Sequence, residues 1–113
     1  MTEHSIQARV VQFVRTFYPD VVIFSVPNGA DVSATNRLRL SREGLLPGIP
    51  DLFILEKRKG FSGLLIEFKT TTGKTSKEQD DLIIKLANRG FLVYVARSHI
   101  TAIELIEDYI NEA

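Results

Sequence analysis

Apolar residues recur along this chain with two different periods, and the places where the period changes mark its elements. Over residues 2–17, Ile6, Val10, Phe13, Val14 and Phe17 fall at helical spacing, with Thr2 placed to cap the start and Pro19 just past the end. This predicts an amphipathic helix. Residues 21–26 are β-branched and aromatic and run into Pro27-Asn28-Gly29, which predicts a strand ended by a turn. Residues 33–43 have a weaker helical pattern, are rich in arginine and stop at Gly44, consistent with a basic helix.

Two short apolar runs follow, residues 51–56 and 64–70, on either side of Lys57-Arg58-Lys59-Gly60-Phe61-Ser62-Gly63. They read as a β-hairpin with a longer loop. Over residues 76–89, Ser76 and Gln79 form a capping-box pattern, Leu82, Ile83 and Leu86 make a stripe, and Gly90 closes a helix. Residues 91–96 predict another strand. Residues 98–111 return to helical spacing through Ala102, Ile103, Ile106, Tyr109 and Ile110, with Ser98 at the cap. The order α-β-(α)-β-β-α-β-α predicts an α/β fold, a mixed sheet flanked by helices.

No repeat, low-complexity tract or linker interrupts this order, and 113 residues with 44% hydrophobic content suit a single domain spanning 1–113. No apolar run approaches the twenty or so residues that cross a bilayer, and the N-terminus lacks a basic-then-apolar leader pattern. A soluble cytoplasmic chain without a membrane partner is expected. With no cysteine and two isolated histidines, His4 and His99, thiol chemistry is excluded and any metal would be held mainly by oxygen. No nucleophile elbow surrounds Ser76 or Ser98, and Gly73-Lys74-Thr75 lacks the earlier glycine of a phosphate-binding loop. Acyl transfer and a nucleotide cofactor are therefore not expected.

The net charge is zero, but the balance hides a gradient. From residue 104 onward there are four acids and no bases, so the preceding 103 residues carry 14 bases against 10 acids. The bases gather at Arg37, Arg39 and Arg42, at Lys57, Arg58 and Lys59, and at Lys69, Lys74 and Lys77. These clusters are either ordinary solvated loops or a phosphate-gripping surface.

Side chains alternate across a strand, so Leu65, Glu67 and Lys69 share one face and Leu64, Ile66 and Phe68 the other. An acid and a base inside an apolar strand are costly to bury unless they pair, bind a metal or line a wet cleft. Asp51 opens the neighbouring strand after Pro47-Gly48-Ile49-Pro50. If Glu56 lies opposite Leu64, then Asp51 lies opposite Lys69 with Glu67 diagonal to it, whereas a one-residue slip would send Asp51 to the other face. Two converging carboxylates repel unless a cation sits between them, and hard oxygen ligands favour Mg2+ or Mn2+. The plainer alternative is an exposed cross-face ion pair.

The pattern Gly48-Ile49-Pro50-Asp51-Leu52 followed by Ile66-Glu67-Phe68-Lys69-Thr70 resembles the signature of PD-(D/E)xK nucleases. More narrowly, the chain resembles the virus-type replication-repair nuclease domain, VRR-NUC, and the likeness extends through Pro27-Asn28-Gly29, Gly44 and Gln79. That resemblance implies a restriction-endonuclease-like fold and metal-dependent DNA hydrolysis leaving 5′-phosphate and 3′-hydroxyl ends. It implies that Asp51, Glu67 and the Phe68 carbonyl hold the metal and that Lys69 positions water. Glu3, near the start of the first helix, would serve a second metal or its water shell; a favourable helix-dipole position explains it equally well.

Gln79 is either a site residue or simply the capping-box partner of Ser76. Asn28 is either a DNA contact or a turn former. DNA binding through Arg37, Arg39, Arg42, Lys74 and Lys77 would follow the backbone rather than read bases. Small members of the family look like homodimeric resolvases of four-way junctions, so branched DNA and a homodimer are expected in a bacterial or phage-infected cell. The dimer would form through apolar faces of the C-terminal region or first helix. Flaps, single strands or duplex ends, or a non-catalytic DNA-binding role, are the alternatives.

Overall fold

The computed structural model describes residues 1–27 and 33–111. Its elements are α1 (Glu3–Phe17), β1 (Ile23–Ser25), α2 (Ala34–Arg42), β2 (Leu52–Ile54), β3 (Leu64–Phe68), α3 (Lys77–Ala87), β4 (Leu92–Ala96) and α4 (His99–Asn111). The order matches the α/β expectation, including the basic helix. Local chemistry sets the ends: Thr2, Ser33, Ser76 and Ser98 side chains each accept a backbone N–H from three residues on, at 3.1, 3.3, 3.1 and 3.1 Å.

The strands form one mixed sheet in the order β1-β2-β3-β4, antiparallel from β1 to β3 and parallel between β3 and β4. One face presents Ile23, Leu52, Ile54, Leu64, Ile66 and Phe68 to Ile6, Val10 and Val14 of α1 and Ala102, Ile106 and Tyr109 of α4. This is the core. The other face carries Leu65 and Glu67, and α3 packs beside them on β4. β3 is buried on both faces, which explains why its sequence runs apolar without strict alternation.

The hairpin register differs from the sequence expectation by two residues. Ile54, not Glu56, lies opposite Leu64, and Phe53 opposite Leu65. The reason lies in the connection: Arg58 and Phe61 pair with each other at its tip, so residues 55–57 and 62–63 become arms of the loop rather than strand. A shift of two preserves face parity. Asp51 therefore keeps the face of Glu67 and Lys69, but its place by continued register is opposite Glu67 rather than Lys69.

Candidate active site

The first acid is positioned by a proline. Lys69 N–H donates to the Ala96 carbonyl of β4 at 3.0 Å, so the backbone groups of Phe68 point the other way, toward β2. Continuing the register sets Pro50 opposite Phe68. Proline has no N–H, so it cannot donate to the Phe68 carbonyl, and that oxygen receives no ladder bond from this position. The Phe68 N–H donates instead to Asp51 Oδ2 at 2.9 Å. One proline thus leaves a carbonyl free of its ladder donor while the next residue's carboxylate is fixed beside it.

Glu67 is 3% exposed, the one buried charged residue among those described. Its Oε2 accepts from Gln79 Nε2 at 2.8 Å and lies 3.3 Å from Lys69 Nζ. Its Oε1 is buried without a hydrogen-bond partner. Burial first, and the Asp51 charge second, push the Glu67 carboxyl up to about 7, against the opposing pull of Lys69. An orphaned buried carboxylate oxygen facing a second carboxylate is an arrangement that a cation would complete.

Gln79 makes both the capping-box bond and a bond to Glu67. Its Oε1 accepts from Ser76 N–H at 2.9 Å, closing the capping box, while its amide nitrogen holds Glu67. The two ends of one amide are separate groups, so the roles do not compete. Gly48 fixes where this helix start lies: at φ +86 it lies so close that a Cβ there would sit 2.8 Å from the Glu78 carbonyl carbon and 3.0 Å from Gln79 N. The loop leading to Asp51 is thereby seated on the backbone that presents Gln79. On the far side, Arg97 Nη1 donates to the carbonyls of Thr70 and Gly73 at 2.7 and 2.6 Å, tying down the segment between Lys69 and α3. Arg97 carried no sequence signal, because only the parallel β3–β4 pairing brings it beside Lys69.

With this geometry in view, comparison with known proteins is decisive for the family: the family model of the VRR-NUC domain matches residues 3–100. The chain belongs to the VRR-NUC family. A solved structure described as a VRR_NUC domain protein is similar over 97% of this chain and 88% of that one, with a TM-score of 0.83 and 27% sequence identity. No match was found among curated proteins. A VRR-NUC domain is a nuclease of the PD-(D/E)xK type, a hydrolase of phosphodiester bonds with DNA as substrate, and the family generally uses divalent metals.

The other residues singled out in this VRR-NUC chain are distributed as follows. Glu3 lies in the first turn of α1, half-buried, and is not gathered with Asp51 and Glu67: no three acids or histidines among the described residues are close enough to hold an ion. The dipole position accounts for its place there. Asn28 lies outside the described residues. Arg37, Arg39 and Arg42 stand on α2, which buries no residue, and Arg39 pairs loosely with Glu43 at 3.5 Å. Lys74 and Lys77 are exposed beside the start of α3.

The cluster at 57–59 is a correction to the charge reading. Arg58 pairs with Glu56 at 2.8 Å and donates to the Ile110 carbonyl at 3.1 Å, and Lys59 pairs with Asp108 at 3.0 Å. The acidic C-terminal helix takes up these bases, which clasp the β2–β3 loop to α4.

Proposed function

We propose that this protein is a structure-selective DNA endonuclease dependent on Mg2+ or Mn2+, acting as a homodimer on four-way junctions. The observation that carries the metal-dependent reading is the facing of Asp51 and Glu67, with Glu67 Oε1 buried and unpartnered. Asp51, Glu67 and the Phe68 carbonyl would hold the ion, an all-oxygen donor set suited to a hard cation. When bound, such an ion supplies neutralisation of phosphate charge and acidifies water for attack on phosphorus.

The chain's own groups do the rest. Gln79 fixes one Glu67 oxygen, leaving the other buried without a hydrogen-bond partner. Glu67 would hold the ion as a carboxylate, and its carboxyl titrates at about 7 in the metal-free protein. Lys69, its side chain 13% exposed, lies within reach of the same carboxylate, where its ammonium can orient a water or offset charge on the phosphate. Arg37, Arg39, Arg42, Lys74 and Lys77 would hold the DNA backbone.

Dimerisation is supported by a groove of about 590 Å³ between α1 and α4, on the sheet face away from the site, where Phe13, Phe17 and Ile103 stand among the polar Arg9, Gln12, Thr16 and His99. Phe17 there is 65% exposed. A two-fold contact through this face would leave both sites open and match a two-fold junction. Light scattering at micromolar concentration should give twice the chain mass, falling to one with Phe17→Glu.

The central test is cleavage of a substrate panel of junctions, flaps, single strands and duplex ends in Mn2+ and Mg2+. Asp51→Ala should abolish both cleavage and calorimetric Mn2+ binding, while Lys69→Ala should abolish cleavage and retain DNA binding. Unchanged metal-dependent cleavage in either variant would sink the assignment. A second reading draws on the contacts among Glu67, Lys69 and Gln79, which could act as a structural polar network in a non-catalytic DNA-binding module. DNA binding without cleavage under any metal would favour it.

A further inference from the structure

The β1–β2 half of the sheet carries aromatic groups that the chemistry at Asp51 and Glu67 does not use. On the face these acids share, Phe24 lies opposite Phe53, and the next step along the ladder is Val26 bonded to the Asp51 carbonyl at 3.0 Å. The two rings are stacked, with centroids 5.3 Å apart and planes 22° apart. Helices α1 and α4 cover the opposite face, and α3 packs on β4 at the far side of the sheet, so Phe24 remains 38% exposed on an edge strand. Burying a phenyl side chain stabilises a fold. This fold forgoes part of that beside its candidate site.

Phe53 stands two residues from Asp51 along β2, about 7 Å at the rise of an extended strand. A DNA strand with a phosphate at Asp51 and Glu67 therefore has an adjacent nucleotide within reach of the rings. We infer that Phe24, backed by Phe53, is a stacking platform for an unpaired nucleobase next to the phosphate to be cut. This rests on the nuclease reading and narrows its substrate class to DNA with an unpaired or easily unstacked base at the cleavage point, since bases inside an intact duplex have no free face to offer.

Aromatic rings beside cationic side chains are the usual means of holding single-stranded segments without reading sequence. Exposed Val22 and Leu55 extend the apolar strip away from the acids. A second copy of the chain is the competing occupant. Seated on this face, however, it would cover the mouth of the site and bring a second pair of acids toward the first, so the base is favoured.

The test compares Phe24→Leu, Phe24→Ala and Phe24→Trp in the whole chain, by anisotropy on a junction or flap and on the same DNA made abasic at the nucleotide beside the cleavage point. Phe24→Leu keeps apolar volume but loses the ring, so Leu and Ala should weaken binding about tenfold while Trp retains it. On abasic DNA the four proteins should bind alike. Wild-type affinity in Phe24→Leu, or an equal loss on abasic DNA, overturns the platform. So does a fall in molar mass with Phe24→Ala, which would mark a contact between copies. Failure of the underlying reading is distinct: it would show as unchanged cleavage in Asp51→Ala, whatever Phe24 does.

Discussion

Replacing Gly48 by alanine should damage this protein far more than the same change at Gly44, although both glycines have positive φ, +86 and +114. The shared backbone penalty for a side chain in such a conformation is about 1–3 kcal/mol. At Gly44 nothing lies within 4 Å of the new Cβ, so that penalty is the whole effect. At Gly48 the Cβ would meet the Glu78 carbonyl carbon at 2.8 Å, its oxygen at 2.9 Å and Gln79 N at 3.0 Å. These are backbone atoms at a helix start, unable to rotate aside, so the clash must be relieved by moving the loop or α3. Overpacking of that kind adds about 1–3 kcal/mol, against a total stability of about 5–15 kcal/mol for a domain.

At roughly 4 °C per kcal/mol, the Tm of Gly48→Ala should lie about 4–12 °C below that of Gly44→Ala. Thermal melts of the two variants under one buffer measure this difference directly. The displacement also pulls on the 2.8 Å bond between Gln79 and Glu67, so Gly48→Ala should lose DNA cleavage at temperatures where it is still folded, whereas Gly44→Ala should not. Equal melting temperatures, or wild-type cleavage by folded Gly48→Ala, would refute the claim that this close approach sets the site.

Other outcomes follow from the same geometry. In chelator, the Glu67 carboxyl near 7, above its unfolded value of 4.5, contributes stability that is fully present below about pH 4.5 and lost as pH rises through 7. The loss is of order 3 kcal/mol. Urea midpoints taken from pH 4.5 to 8 should fall for the wild type and fall less for Glu67→Gln, and Mn2+ should restore the wild type at pH 8. Gln79→Glu keeps the capping oxygen but sets a carboxylate against Glu67 Oε2, so it should lower the metal-free Tm at pH 8 more than at pH 5. Arg37→Ala, Arg39→Ala and Arg42→Ala together should weaken DNA binding whatever the sequence and reduce the salt slope by about 0.9 for each phosphate no longer neutralised. An unchanged slope would remove α2 from the interface.

The sequence alone determined what short-range chemistry controls. Three serine or threonine caps, two apolar periods and the glycine stops placed the helices and strands of the described residues to within a few positions, because caps and periodicity act over one or two turns. It also determined that Glu67 and Lys69 share a face, since side chains alternate along a strand, while the face of Asp51 waited on the parity of the β2–β3 pairing. The tertiary structure decided how those residues meet. Pairing of Arg58 with Phe61 at the loop tip moved the register by two and set Asp51 against Glu67. The parallel crossover from β3 to β4 brought Arg97 to the loop after Lys69, and the close approach of Gly48 set Gln79 against the buried acid. The acidic tail drew Arg58 and Lys59 away from the basic surface that charge counting suggested. Each of these joins residues distant along the chain, and which partners meet depends on how the whole core closes.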